Sequence, residues 1–83
     1  MIRLGIDFEG LVMSFSDRII QLKNERKLLQ KDIASSVGVS LRAYQYYEKG
    51  QKEPTLSVLL RLADYFDVSL DYLVGLSDTP ERR

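Results

Sequence analysis

Neither cysteine nor histidine occurs among the 83 residues, and tryptophan is absent as well. Without thiols the chain has no disulfide framework and no thiolate metal site, which suits a reducing, cytoplasmic compartment. Without imidazole a zinc ion would have carboxylates alone, and a nucleophile would lack its usual proton acceptor. Hydrolytic and metal-dependent chemistry are therefore disfavoured, and no catalytic residue, metal or cofactor is expected. Long apolar runs are missing too, since nothing approaches the ~20 residues of a membrane span. The opening MIRLGIDF alternates charge and has too short an apolar stretch for a secretory signal. An excess of charge of one sign is also lacking, because twelve basic residues balance twelve acidic ones.

The neutral total conceals a segregated distribution. From Lys23 to Lys52 seven basic residues (Lys23, Arg26, Lys27, Lys31, Arg42, Lys49, Lys52) stand against Glu25, Asp32 and Glu48, a net +4. From Glu53 to Thr79 Arg61 alone faces five acids, a net −4. A basic half gathered on one face would attract phosphate while the acidic half turned away. Eighty-three residues make one small domain with a narrow stability margin.

The basic half holds the most patterned stretch, QKDIASSVGVSLRAYQYYEKG from Gln30 to Gly50. Ile33, Ala34 and Val37 form an apolar stripe at i, i+1 and i+4, which predicts a helix that Gly38 stops in a left-handed conformation. Ser40 then caps a second helix running to Lys49. Ala34 is small enough for two helices to cross closely, as a helix-turn-helix requires. Ala43, Tyr44 and Tyr47 follow the inward repeat, leaving Leu41, Arg42, Gln45, Tyr46 and Lys49 for a ligand. A preceding helix is expected over Ser16 to Lys27, capped by Ser16, with Ile19, Ile20 and Leu22 apolar. Pro54 and Thr55 signal a fourth helix whose core face reads as Leu56, Leu59, Leu60, Ala63 and Phe66. Ser69 caps a short fifth helix that ends at Gly75.

The termini differ from this helical body. Ile2, Leu4, Ile6 and Phe8 alternate with polar residues or glycine at a period of two, which suits a strand pairing with a twin or covering an apolar groove. A start at Met13 would instead make residues 1–12 no element at all. The expected division is an N-terminal extension over 1–14, a helix-turn-helix domain over 15–76 and a flexible tail over 77–83.

Phe15 to Gly75 resembles the Cro-type phage repressor family, also called XRE-like. Gln30, Ala34, Gly38, Val39, Ser40, Glu48, Gly50, Pro54 and the ending LADYF-VS-DYL-G carry the resemblance in the right order. It implies an all-α, five-helix, lambda-repressor-like DNA-binding domain. By position it implies base reading by Leu41, Arg42 and Tyr46, with Arg42 suited to guanine O6 and N7, and it gives Gln45 a base-reading place too, although Gln45 and Tyr46 could each reach a base or a phosphate. It implies phosphate contacts by Gln30, Ser40, Lys49, Gln51 and Lys52, and a Glu48 that pairs with Lys23 for structural reasons. Leu29 stands where relatives often place a capping hydroxyl, and Tyr44 and Tyr47 are unusual in their positions.

The implied function is a sequence-specific double-stranded DNA-binding transcriptional regulator of prokaryotic or phage origin, a repressor associated with the nucleoid and binding a palindromic operator as a homodimer. The dimer interface is expected in the acidic C-terminal half, with Tyr65, Tyr72, Val74 and Leu76 as surface residues. The alternative is an antitoxin-like module whose principal ligand is a regulatory protein partner and whose DNA binding is autoregulatory.

Overall fold

The computed structural model describes residues 13–81. Among these the chain forms α1 (Phe15–Glu25), α2 (Gln30–Val37), α3 (Leu41–Glu48), α4 (Leu56–Phe66) and α5 (Leu70–Val74), with no strand. The alternating stretch over residues 1–12 lies outside the described residues.

Local capping explains most of the boundaries. Ser40 Oγ accepts from Ala43 N at 3.0 Å, Thr55 Oγ1 from Val58 N at 3.3 Å and Ser69 Oγ from Tyr72 N at 3.1 Å. Each satisfies one of the free N–H groups of a first turn. The first helix corrects the sequence reading. Its cap is Ser14, whose Oγ accepts from Asp17 N at 3.1 Å. Ser16 instead donates its hydroxyl to the Tyr47 carbonyl at 2.7 Å and ties α1 to the end of α3. The helix also ends at Glu25, two residues before the expected Lys27. Lys27 itself adopts φ 55°, the left-handed closing conformation that glycine more often supplies. Helix α2 has no side-chain cap, as Leu29 at its N-cap predicts.

At the centre of the motif Gly38 takes φ 76°, and Val39 N donates back to Ala34 O at 3.0 Å. Gly75 is more tightly constrained. At φ 91° it lies where an added Cβ would be only 1.8 Å from the Met13 carbonyl oxygen. Only glycine permits this approach of α5 to the chain entering α1.

The core gathers one face from every helix. Ile19 and Leu22 of α1, Ile33 and Val37 of α2, Tyr44 of α3, Leu62 and Phe66 of α4 and Leu73 of α5 are all at most 2% exposed. Helix α2 packs against α3 and α4, while α1 packs against α3 and α5. Ala34, 2% exposed, permits the close α2–α3 crossing.

Helix α4 departs from its expected face. Ala63 and Phe66 are buried as predicted and Leu59 is half-buried, but Leu56 and Leu60 are 65% and 51% exposed. Val58 and Leu62 take the inner positions, so the true seam runs Val58, Leu62, Phe66 at i, i+4, i+8. Tyr72 is likewise not a surface residue. It is 8% exposed and lies beneath Arg18, whose guanidinium carbon is 3.7 Å from the ring centroid.

Arg18 is a buried charge with distributed partners. Its Nε donates to Tyr72 O at 2.9 Å, Nη1 to Gln21 Oε1 at 2.9 Å and Nη2 to Ser77 O at 3.0 Å. Hydrogen bonding of this kind offsets the cost of taking a cation from water. Ser69 N also donates to Pro80 O at 3.0 Å, so residues after α5 fold back along its start.

Candidate nucleic-acid interface

Helix α3 divides cleanly between core and surface. Tyr44 and Tyr47 are 0% and 5% exposed and meet edge to face, with centroids 6.4 Å apart. On the other side Leu41, Arg42 and Lys49 are exposed, while Gln45 and Tyr46 are half-buried. Any partner of α3 therefore meets the expected base-facing side chains first.

Two of them form a unit. Arg42 Nε donates to Tyr46 Oη at 3.0 Å, and the guanidinium carbon is 5.7 Å from the Tyr46 ring centroid. One helical turn separates them, the spacing at which side chains meet on a helix surface. The pairing restrains a long side chain yet leaves both Nη groups unengaged by this bond. A guanidinium held this way can present a two-pronged donor edge.

Gln30 and Gln45 form a second unit that spacing along the sequence did not reveal. Gln45 Nε2 donates to Gln30 Oε1 at 3.2 Å, and Gln30 Nε2 donates to Glu48 Oε1 at 3.0 Å. The same carboxylate oxygen accepts from Lys23 Nζ at 2.9 Å, the pair that the resemblance implies. Lys23 and Glu48 side chains are 17% and 9% exposed, so this is a largely buried ion pair.

The Glu48 carboxyl is held below its usual range despite its burial. Burial pushes it up, but the Tyr44 hydroxyl, the Lys23 ammonium and the Gln30 amide together outweigh that effect. The Tyr44 phenol moves the other way, raised above its ordinary value first by burial and then by the adjacent carboxylate. No hydrogen bond of regular geometry joins Tyr44 Oη to Glu48 Oε2, and neither atom has another partner.

Around this patch Ser40, Lys49, Gln51 and Lys52 are exposed, at the two ends of α3 and in the loop beyond it. Ser40 Oγ already accepts from Ala43 N, and its own proton remains free to donate. Lys31 is exposed on α2. The charge count is smaller here than the sequence suggests. Lys23 is committed to Glu48, and Arg26 donates through Nη1 to the Phe66 carbonyl at the end of α4. Among the described residues no cluster of acidic side chains is arranged to hold a metal ion, and no helix is long and apolar enough to cross a membrane.

Comparison with known proteins gives concordant matches. The helix-turn-helix family model HTH_3 matches residues 19–73. The chain is 37% identical over 67 residues to the uncharacterized HTH-type transcriptional regulator YobD of Bacillus subtilis, covering 81% of this chain and 60% of that protein. It is 38% identical over 65 residues to the cryptic phage CTXphi transcriptional repressor RstR of Vibrio cholerae, covering 78% of this chain and 59% of the repressor. The chain thus spans about three fifths of the length of these two relatives. Among solved structures, the P22 c2 repressor in complex with a synthetic operator superposes with a TM-score of 0.73 at 29% identity, covering 78% of this chain and 98% of that one.

Proposed function

The chain belongs to the helix-turn-helix family, and on that premise we propose that it is a sequence-specific transcriptional regulator that binds double-stranded DNA through α3. The division of α3 carries this reading: Tyr44 and Tyr47 anchor one side in the core, while Arg42, Gln45 and Tyr46 stand on the other. Arg42 is the chief base reader, with Leu41 able to pack on a thymine methyl. Ser40, Lys49, Gln51, Lys52 and the remaining N–H of Gln30 hold phosphates and set the register without reading sequence. The full chain acts as a homodimer on a palindromic operator, since a single short helix offers few contacts and two linked copies reading half-sites a helical turn apart reach useful affinity. Its sense is repression, by likeness to RstR and the P22 c2 repressor. The reading places it in the cytoplasm, at the nucleoid when bound.

Titration of operator duplexes at fixed salt tests the assignment. Arg42→Ala is expected to lose about 1–3 kcal/mol of discrimination between cognate and mismatched sites with its fold unchanged. Lys52→Ala is expected to weaken all duplexes alike and lower the salt slope by about one. Parental behaviour in both variants would overturn the groove assignment.

A further inference from the structure

The amide of Gln45 has an orientation that chemistry dictates from a distance. Glu48 Oε1 accepts from Gln30 at 3.0 Å, and an ionised carboxylate can only accept. The Gln30 amide must therefore turn its NH2 toward Glu48. Its carbonyl is then left for Gln45, which has to donate, as it does at 3.2 Å. Gln45 keeps Oε1 and a second N–H, one acceptor beside one donor. Adenine offers the complementary edge in the major groove, an N6 donor beside the N7 acceptor. Guanine there offers two acceptors, O6 and N7, and would suit a Gln45 amide turned the other way, with its carbonyl accepting from Gln30 and only N–H groups facing out.

We propose that Glu48 is a positioning residue that polarises the Gln30–Gln45 pair and thereby makes Gln45 a reader of adenine. The proposal rests on the DNA-binding reading of α3 and deepens it. Glu48 has no need to approach the DNA, and with its side chain 9% exposed it acts through the two glutamines. Lys23 strengthens the device, because its ammonium at 2.9 Å must have an acceptor. Glu48→Met removes the oxygen on which Lys23 and Gln30 both converge. Gln30 is then free to offer Gln45 either its carbonyl or its NH2, and the outward edge of Gln45 is no longer fixed.

Parallel selections from a randomised double-stranded DNA library, using the full chain and the E48M, Q30M and Q45A variants, read this directly. Circular dichroism establishes which variants fold. The parent is expected to select adenine at one position of each half-site with about tenfold preference or more. Q45A erases that preference at that position alone, Q30M weakens it, and E48M relaxes it by admitting guanine while other positions hold. A merely structural Glu48 would change affinity throughout and leave the base preference intact. A Gln45-dependent position that prefers another base in the parent, or a folded E48M that retains the parental adenine preference, overturns the proposal. Should E48M not fold, retention of full adenine preference by Q30M overturns it equally. A parent that enriches no sequence at all overturns the DNA-binding reading itself, a result distinct from a motif lacking the adenine.

Discussion

Although its side chain is only 9% exposed, Glu48 has its charged form favoured, because the groups around it outweigh its burial. The ordering of effects gives the sign of a pH dependence. A carboxyl whose folded value is depressed contributes stability in full above its unfolded value of about 4.3 and loses it as pH falls through the lower folded value. Urea unfolding midpoints measured from about pH 6 down to about pH 2 are expected to fall more steeply for the parent than for E48Q. Parallel curves would show that Lys23, Gln30 and Tyr44 do not hold the carboxylate charged. At this scale the sequence disclosed some partnerships and concealed others. Glu48 with Lys23 was implied by resemblance, and the outward positions of Leu41, Arg42 and Lys49 followed from helical spacing. The link between Gln30 and Gln45 could not be read that way, because it joins residues fifteen apart across two helices. Arg18 gave no signal at all, since nothing local marks an arginine that will lie over a tyrosine ring fifty-four positions away.

Among the helices, α2 alone lacks a side-chain cap. Leu29 already has the extended backbone of a capping residue, with φ −99° and ψ 144°, and it is 56% exposed. Leu29→Ser should therefore add a hydrogen bond to the first turn while giving up little burial. The expected gain is about 1 kcal/mol, or roughly 4–8 °C in Tm for a domain of this size, read by thermal denaturation. An unchanged or lower Tm would mean that the leucine contributes more than its exposure indicates. Capping was the most legible feature of these elements, because Gly38, Ser40, Thr55 and Ser69 act through their immediate neighbours. Helix α1 misled at that same level, having two serines in reach of its start, and only the packing of Tyr47 decides that Ser16 is engaged elsewhere. Helix α4 misled for a different reason. Leu56, Val58, Leu59, Leu60, Leu62, Ala63 and Phe66 are apolar around most of its circumference, so periodicity selects no single face. Contact with α2 and α5 selects the seam through Leu62.

Three arginines join the helices end to side, each reaching a carbonyl at the end of another helix. Arg18 reaches Tyr72 of α5, Arg26 reaches Phe66 of α4, and Arg61 reaches Val37 of α2 at 3.4 Å. Cations at helix C-termini complement the dipole there, and these are thereby withdrawn from the proposed phosphate contacts. Exposed cations remain at the two ends of α3, just beyond it and at Lys27 and Lys31, while the two most exposed leucines that lie within one helix, Leu56 and Leu60, belong to α4. Leu56 and Leu60 lie one turn apart, and Leu60 borders a groove with Ala63, Val68 and Leu70. A contact through this stripe uses none of the side chains proposed to meet DNA. The proposed homodimer needs an apolar contact of this kind, because charged surface alone associates weakly. Leu60→Glu places a charge on the stripe without entering the core, so the monomer should keep its fold and thermal transition. Sedimentation equilibrium is expected to show a dimer for the parent and a monomer for the variant, with binding to a single half-site preserved and binding to the full palindrome weakened by roughly a hundredfold or more through loss of the second, linked contact. A variant as dimeric as the parent would move the interface away from α4.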